Sequence, residues 1–336
     1  MGPARLRAAA ADALERGALR SPLTDALSRG WAALARPIRP VELPDGTAVF
    51  GVSGPTLGGS YKTPTAIALA AALAARGAPV AVVSHGYRAR ARAPRVVLPT
   101  DSVSDVGDDA LAAARVLSPL GVPVLCGGSR ERALFAGASL APNLVVDGLL
   151  QAAPRRLAAS LLVVSAEAPW GADQCPPAGD LRASRSRLVA ASDVTVHVED
   201  GAPDGCTGTD AAARDVRARL SLDLRDSASG RPLSLEELRG KPIGLVAAVA
   251  RPGRIRTTLG RIGVRIAEER LFPDHATPRE RTVRARRPAV AAWLATEKCA
   301  TKLGTTFEGA PVLVLAGRVV LPDALVDGVH ERCRVF

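Results

Sequence analysis

Gly51-Val52-Ser53-Gly54-Pro55-Thr56-Leu57-Gly58-Gly59-Ser60-Tyr61-Lys62-Thr63-Pro64 is the stretch on which the reading of this chain turns. Ahead of it, Ala48 to Val52 is apolar and β-prone. Behind it, Thr63 to Arg76 is rich in Ala and Leu, with Pro64 in the first turn and Gly77 at the stop, and predicts a helix. Strand, glycine-rich turn, Lys-Thr and helix together make a phosphate cradle. Backbone N–H groups of the loop and of the helix N-terminus face an anion, the Lys adds a point charge, and the Thr hydroxyl can hold Mg²⁺. The competing reading is an ordinary glycine-rich turn. Composition favours the cradle: of 44 Lys and Arg residues only four are Lys, and one of them is Lys62. A compact ammonium fits among phosphates where a planar guanidinium does not. One residue is discordant, Tyr61, because phosphate loops carry Gly before the Lys.

Outward from the loop, Pro79 to Ser84 predicts the next strand and completes a βαβ unit. Its unbroken apolar run suits a parallel sheet covered on both faces. Ser84-His85-Gly86-Tyr87-Arg88 ends that strand, where open α/β sheets bind ligands. Asp105-Val106-Gly107-Asp108-Asp109 is expected to open a helix running to about Leu117. Asp108 there is either a helix cap or a functional carboxylate. Val122 to Cys126, Asn143 to Val146, Leu161 to Val164 and Val194 to Val198 predict strands. Asp147 at the tip of the second of these is either a turn residue before Gly148 or a second Mg²⁺ contact or base. Gly201 to Thr209 reads as a linker. Beyond it, Leu220 to Leu224, Ile243 to Ala250, Val264 to Ala267, Val312 to Leu315 and Val319-Val320 predict strands of a second α/β lobe. Pro252 to Ile262 and a segment from Pro322 predict helices there, and Thr277-Pro278-Arg279-Glu280 has the form of a capping box.

The 336 residues suffice for a sizeable core. Aromatics are only 3% of the chain, so Val, Leu and Ala must fill it. The formal net charge of +11 suits an anionic partner. Nucleic acid is not expected as that partner, since aromatics are few and no recognition motif occurs. Five scattered cysteines without metal spacing predict reduced thiols. No apolar run approaches the length that spans a bilayer. Residues 3–36 read as helix with a break near Ser21-Pro22. Leu23, Leu27, Trp31 and Leu34 share one side, and arginines lie elsewhere. That pattern suits a helix lying in a membrane interface, or one packed on its own domain.

Taken in order, these pieces resemble the tetraacyldisaccharide 4′-kinases, the lipid A 4′-kinases, over roughly residues 45–305. The loop Val52 to Pro64 aligns with the family's phosphate loop without a gap, and Pro64 after Lys-Thr is a family mark. Ser84-His85-Gly86-Tyr87, Val106-Gly107-Asp108-Asp109, Pro177-Ala178-Gly179-Asp180-Leu181-Arg182, Ala250-Arg251-Pro252, Phe272-Pro273-Asp274-His275 and Thr296-Glu297-Lys298 follow in the family's order.

The resemblance implies an α/β, P-loop NTPase-like fold. It comprises an N-terminal amphipathic segment (1–38), a nucleotide-binding lobe with a mostly parallel sheet and flanking helices (39–200), and a smaller second α/β lobe (210–336). It implies ATP and Mg²⁺ as cofactors and the tetraacyldisaccharide 1-phosphate precursor of lipid A as substrate, phosphorylated on its 4′-hydroxyl. It also implies peripheral attachment to the anionic cytoplasmic face of the bacterial inner membrane. Thr56, Gly58, Gly59, Ser60, Lys62 and Thr63 would bind the nucleotide, Thr63 and Asp147 the metal. Asp108 would be the base, His275 would orient it, and Asp147 would complete the catalytic set. The sequence departs from the family at Tyr61, His85, Ala172 and Cys299. It departs again at Val146-Asp147-Gly148-Leu149-Leu150-Gln151, where the family has Asp-Asp-Gly-Leu-Gln-His. Two other functions fit the residues: a homologue that binds nucleotide or lipid with little turnover, and a P-loop kinase acting on another sugar or lipid.

Overall fold

The structure, a computed structural model, describes residue 10 and residues 13–35, 41–86, 89–149, 157–200, 208–210, 214–280 and 289–333. Contact density divides the chain into a larger unit, residues 13–219 with 319–336, and a smaller one built on residues 220–318.

In the larger unit residues 13–15 are helical, and helix α1 (Pro22–Leu34) starts where Ser21-Pro22 predicts a break. Ser21 and Thr24 form a capping box: the Thr24 N–H donates to Ser21 Oγ at 3.2 Å and the Ser21 N–H to Thr24 Oγ1 at 2.8 Å. Strand β1 (Ala48–Ser53), helix α2 (Lys62–Ala75) and strand β2 (Val80–His85) form the expected βαβ unit. A short strand β3 (Arg95–Val96) precedes two helices, α3 (Val103–Val106) and α4 (Asp108–Leu117). The sequence suggests one helix here. Gly107 interrupts it at φ 85°, a conformation that only glycine adopts readily, and Asp108 thereby becomes the first residue of a new helix. Strand β4 (Val124–Gly127), helix α5 (Arg130–Ala138), strands β5 (Asn143–Asp147) and β6 (Ala159–Ser165), helix α6 (Arg185–Ala190) and strand β7 (Val194–Asp200) follow. Strands β8 (Gly208–Asp210) and β9 (Asp215–Asp226) pair antiparallel.

The strand order in this unit is β7-β6-β1-β5-β2-β4-β3. Neighbours run parallel except β3, which lies antiparallel to β4. All residues of β1, β5 and β6 are buried, as a sheet covered on both faces requires. From β1 the chain crosses to one side to make β2, and from β5 it crosses to the other to make β6. The C-terminal ends of β1 and β5 therefore lie at a switch point, where such sheets bind ligands.

The smaller unit continues from β9 through β10 (Pro232–Leu233), β11 (Ile243–Ala247), helix α7 (Pro252–Arg261), β12 (Ile266–Leu271), β13 (Ala292–Thr296), helix α8 (Glu297–Ala300), β14 (Thr306–Phe307) and β15 (Ala310–Val320). The order is β12-β11-β13-β15-β9, with the first four parallel. Strand β13 has no counterpart in the sequence reading. Trp293 on it lies opposite Gly244, and its ring fills the space that a Cβ at 244 would need. The Trp293 ring also meets Phe307 edge-on at 5.4 Å. The Thr277 capping-box expectation is not met over 277–280, which are not helical; residues 281–288 lie outside the described set. The chain returns to the larger unit as helix α9 (Asp323–Arg332), where Asp323 and Asp327 bind Arg76 at the end of α2.

Candidate active site

The glycine-rich loop Gly54 to Tyr61 starts where β1 ends. In the β1–β5 register Val52 lies opposite Asp147, and the Gly148 N–H donates to Val52 O at 2.7 Å. The pairing brings an acidic strand tip beside the loop without any help from local sequence. Helix α2 begins on Lys62, so Lys62 and Thr63 sit in its first turn, where the helix dipole favours negative charge. Thr63 Oγ1 donates to Asp147 Oδ2 at 2.6 Å, and Lys62 Nζ lies 3.7 Å from Asp147 Oδ1. Asp147 is only 5% exposed, and its Oδ1 makes no hydrogen bond. A buried carboxylate oxygen without a donor, beside a Thr hydroxyl, is a fitting pair of hard oxygen ligands for Mg²⁺.

The loop is shaped by two close contacts. Gly54 must lack a side chain, because a Cβ there would collide with buried Ser60. Thr56 Oγ1 donates to Gly58 O at 2.8 Å, which tightens the turn. Gly59, at φ 70°, uses the left-handed region freely, but Tyr61 also occupies it, at φ 56° and ψ 14°. For a side chain with a Cβ that conformation costs about 1–2 kcal/mol. Tyr61 is held at both ends. Its carbonyl accepts from Thr65 N at 3.0 Å and Thr65 Oγ1 at 2.8 Å. Its phenol donates to Asp200 at the end of β7, 2.8 and 2.9 Å from the two carboxylate oxygens.

The segment Pro177 to Arg182 lies along the loop. Thr56 bridges Leu181, the Leu57 N–H donates to Asp180 O at 3.0 Å, and the Arg182 N–H to Pro55 O at 2.8 Å. Arg182 Nε adds a bond to Thr56 O, also 2.8 Å. This pairing gives the Pro-Ala-Gly-x-Leu-Arg motif a physical task, bracing the outer side of the loop.

Two basic groups join the site: Arg130, which the sequence reading did not single out, and His85, which it placed at the ligand-binding end of its strand. Arg130 opens α5, and its Nη2 lies 3.2 Å from where a Cβ on Gly148 would be. His85 ends β2. Desolvation by surrounding protein pushes its imidazole below the ordinary value of 6.5, and Arg130 and then Lys62 push the same way against Asp147. Lys62 and Arg130 thus set positive charge around the buried Asp147 carboxylate, the charge balance that a polyphosphate needs.

Asp108 belongs to the same unit. It is 3% exposed at the start of α4, and its Oδ1 accepts the Asp109 N–H at 3.0 Å. His275 lies in the smaller unit, at φ 62° in the loop after β12. Its N–H donates to Ala248 O at 3.2 Å, and its Nε2 sits 3.3 Å from Lys298 Nζ and 3.4 Å from Asp274 Oδ2. The Phe-Pro-Asp-His and Thr-Glu-Lys motifs therefore meet through side chains. Buried Cys299 accepts the Ala248 N–H at 3.2 Å, so the thiol that replaces the family's Asp is spent on packing and on one backbone donor.

Residues 32–334 match the family described as tetraacyldisaccharide-1-P 4′-kinase. The chain belongs to this family. It is similar to the tetraacyldisaccharide 4′-kinase of Anaeromyxobacter sp. strain Fw109-5, with 37% identity over 289 residues that cover 80% of this chain and 76% of the relative. With the enzyme of that name from Rhodopseudomonas palustris strain BisB5 it shares 36% identity over 237 residues, 70% of this chain and 67% of the relative. Its fold is also that of the crystal structure of the "apo" form of LpxK from Aquifex aeolicus in complex with ATP. The TM-score is 0.63 at 18% identity, covering 97% of this chain and 99% of that one. As a tetraacyldisaccharide 4′-kinase family member, the chain is an ATP-dependent phosphotransferase of lipid A biosynthesis. The α/β, P-loop kinase-like fold read from the sequence is borne out.

Proposed function

We propose that Lys62, Thr63 and Asp147 form the nucleotide and metal site of this kinase, with Thr56, Gly58, Gly59 and Ser60 supplying the loop around the phosphates. The observation that supports this reading most directly is the Thr63–Asp147–Lys62 cluster at the switch point between β1 and β5. Magnesium bound to Thr63 and Asp147 would neutralise the β- and γ-phosphates of ATP. Lys62 and Arg130 add cationic charge beside them, and the first turn of α2 adds its dipole.

In the reaction, the 4′-hydroxyl oxygen of the tetraacyldisaccharide 1-phosphate bonds to the γ-phosphorus, and the bond from that phosphorus to the β–γ bridging oxygen breaks. ADP leaves, and the hydroxyl proton passes to a carboxylate. By resemblance to the family motif, Asp108 would be that carboxylate and His275 would orient it. Positioning and charge neutralisation carry most of such catalysis.

The substrate is a lipid, and α1 suits work at a membrane surface. Ser28, Ala32 and Ala35 face the protein, while Leu23, Leu27, Trp31 and Leu34 are exposed. Among the described residues no helix is long and apolar enough to cross a membrane. Peripheral attachment at the anionic cytoplasmic face of the inner membrane fits both facts and the net positive charge.

The deciding assay incubates purified protein with radiolabelled ATP, Mg²⁺ and tetraacyldisaccharide 1-phosphate in detergent micelles. Label is expected on the lipid, and Lys62→Ala is expected to lower its rate of appearance by roughly 10²-fold or more. An unlabelled lipid, or transfer indifferent to Lys62→Ala, overturns the assignment.

A further inference from the structure

We propose that Tyr61 is a positioning residue for the nucleotide: its phenol, anchored on Asp200, holds the residue before Lys62 in the left-handed conformation that glycine elsewhere adopts unaided. The proposal rests on the reading of Gly54 to Thr63 as the phosphate loop. Three observations carry it. Tyr61 lies at φ 56°, inside the region that favours glycine. Its carbonyl is fixed by two donors from Thr65, which is fully buried. Its hydroxyl reaches both oxygens of one carboxylate 139 residues away in sequence.

The geometry separates two jobs that a glycine merges. A glycine before the Lys lets the backbone turn but leaves it free to turn back. Tyr61 resists the turn sterically and is then locked into it by a charge-assisted bond to strand β7, which β6 separates from β1 in the sheet. The lock fixes the peptide that leads into Lys62 before any nucleotide arrives, so less ordering remains to be done on binding. The side chain is drawn toward β7 and Asp200, which leaves the backbone free to approach phosphate.

The experiment measures ATP affinity by calorimetry and the kcat and KM for ATP, on the full chain, for Tyr61→Phe, Asp200→Ala, Asp200→Asn, Tyr61→Gly and Tyr61→Gly/Asp200→Ala, with a thermal melt of each. Tyr61→Phe and Asp200→Ala are each expected to raise Kd and KM for ATP by about tenfold, the loss of one charge-assisted hydrogen bond, with a smaller change in kcat. Asp200→Asn, which can still accept from the phenol, is expected to retain most of the affinity. In the Tyr61→Gly background, Asp200→Ala should change nothing, because no phenol remains to be anchored. Tyr61→Phe binding ATP like the wild type overturns the proposal. So does an Asp200→Ala effect that persists undiminished in the Tyr61→Gly background, which would make Asp200 a general support of the fold. A wild-type protein that binds no ATP overturns instead the phosphate-loop reading itself, and this inference with it.

Discussion

Thr63 Oγ1 stands 2.6 Å from Asp147 Oδ2, across 84 residues of sequence, because β1 and β5 are neighbours in register and each ends at the same level of the sheet. The pair has no local cause. The helix start fixes Thr63, the strand end fixes Asp147, and the sheet order brings them together. Asp147 is the single carboxylate left in a stretch where the family carries two acidic residues, and its second oxygen has no hydrogen bond.

Asp147→Asn keeps the size of the group and an acceptor for Thr63 but removes the charge. The expected result is a kcat/KM lower by on the order of 10²–10³-fold and a raised Mg²⁺ requirement, with little loss of folding stability. Steady-state transfer rates across a Mg²⁺ titration check it. A variant with unchanged Mg²⁺ dependence would move the metal away from this oxygen pair.

How much of this site the sequence discloses depends on distance along the chain. The loop, Lys62, Thr63 and the strand-tip Asp147 are legible because glycine content, a helix start and a strand end are local properties. The bracing of Pro55 and Thr56 by Arg182 is not, since it depends on a strand-like pairing over more than 120 residues that no periodicity encodes. Arg130 escapes for the same reason: it reads as an ordinary first-turn arginine until β4 and β5 set α5 beside Gly148. Tyr61 reads as a misfit because the compensating Asp200 lies on another strand. Helix α1 shows a different limit. Its apolar stripe suits either a membrane or the protein, and the structure shows a second face, Ser28, Ala32 and Ala35, doing the packing while the stripe stays exposed.

His85 provides a titration to follow. Its folded-state pKa lies below the ordinary 6.5, from desolvation first and then from Arg130 and Lys62. A lowered histidine is neutral in the folded protein while the unfolded chain takes up a proton near 6.5. Stability is therefore unaffected by this group above that value and falls as pH drops from there toward the folded pKa. His85→Gln should flatten that part of the stability–pH curve, measured as denaturation midpoints between about pH 5 and 7.5. The chain has only four histidines, so the imidazole can be followed by NMR. Bound nucleotide should move the His85 titration upward, because phosphate charge offsets Arg130 and Lys62. An unshifted resonance on saturation with nucleotide would place the phosphates away from the end of β2.

Helix α1 gives the last prediction, and its two faces make it separable from folding. Ser28 Oγ donates to Cys175 O at 2.8 Å and accepts the Ala178 N–H at 3.0 Å. Arg187 Nη1 donates to Ala32, Ala33 and Ala35 carbonyls at the helix C-terminus. These contacts dock the helix. Leu27 and Trp31 are 56% and 50% exposed and take no part in the docking. Replacing them should therefore leave the thermal midpoint nearly unchanged, as exposed substitutions usually do. In lipid, each side chain would bury apolar surface worth about 1.5–3 kcal/mol. Leu27→Glu and Trp31→Glu are each expected to weaken binding to anionic phospholipid vesicles by tenfold or more in a flotation assay. The KM for the lipid substrate presented in vesicles should rise in parallel, while the KM for ATP stays put. Arg16, Arg20 and Arg29 are exposed around the same helix, so raising the salt should weaken vesicle binding of the wild type as well. Flotation unchanged by both substitutions would mean that the exposed stripe has no part in reaching the lipid.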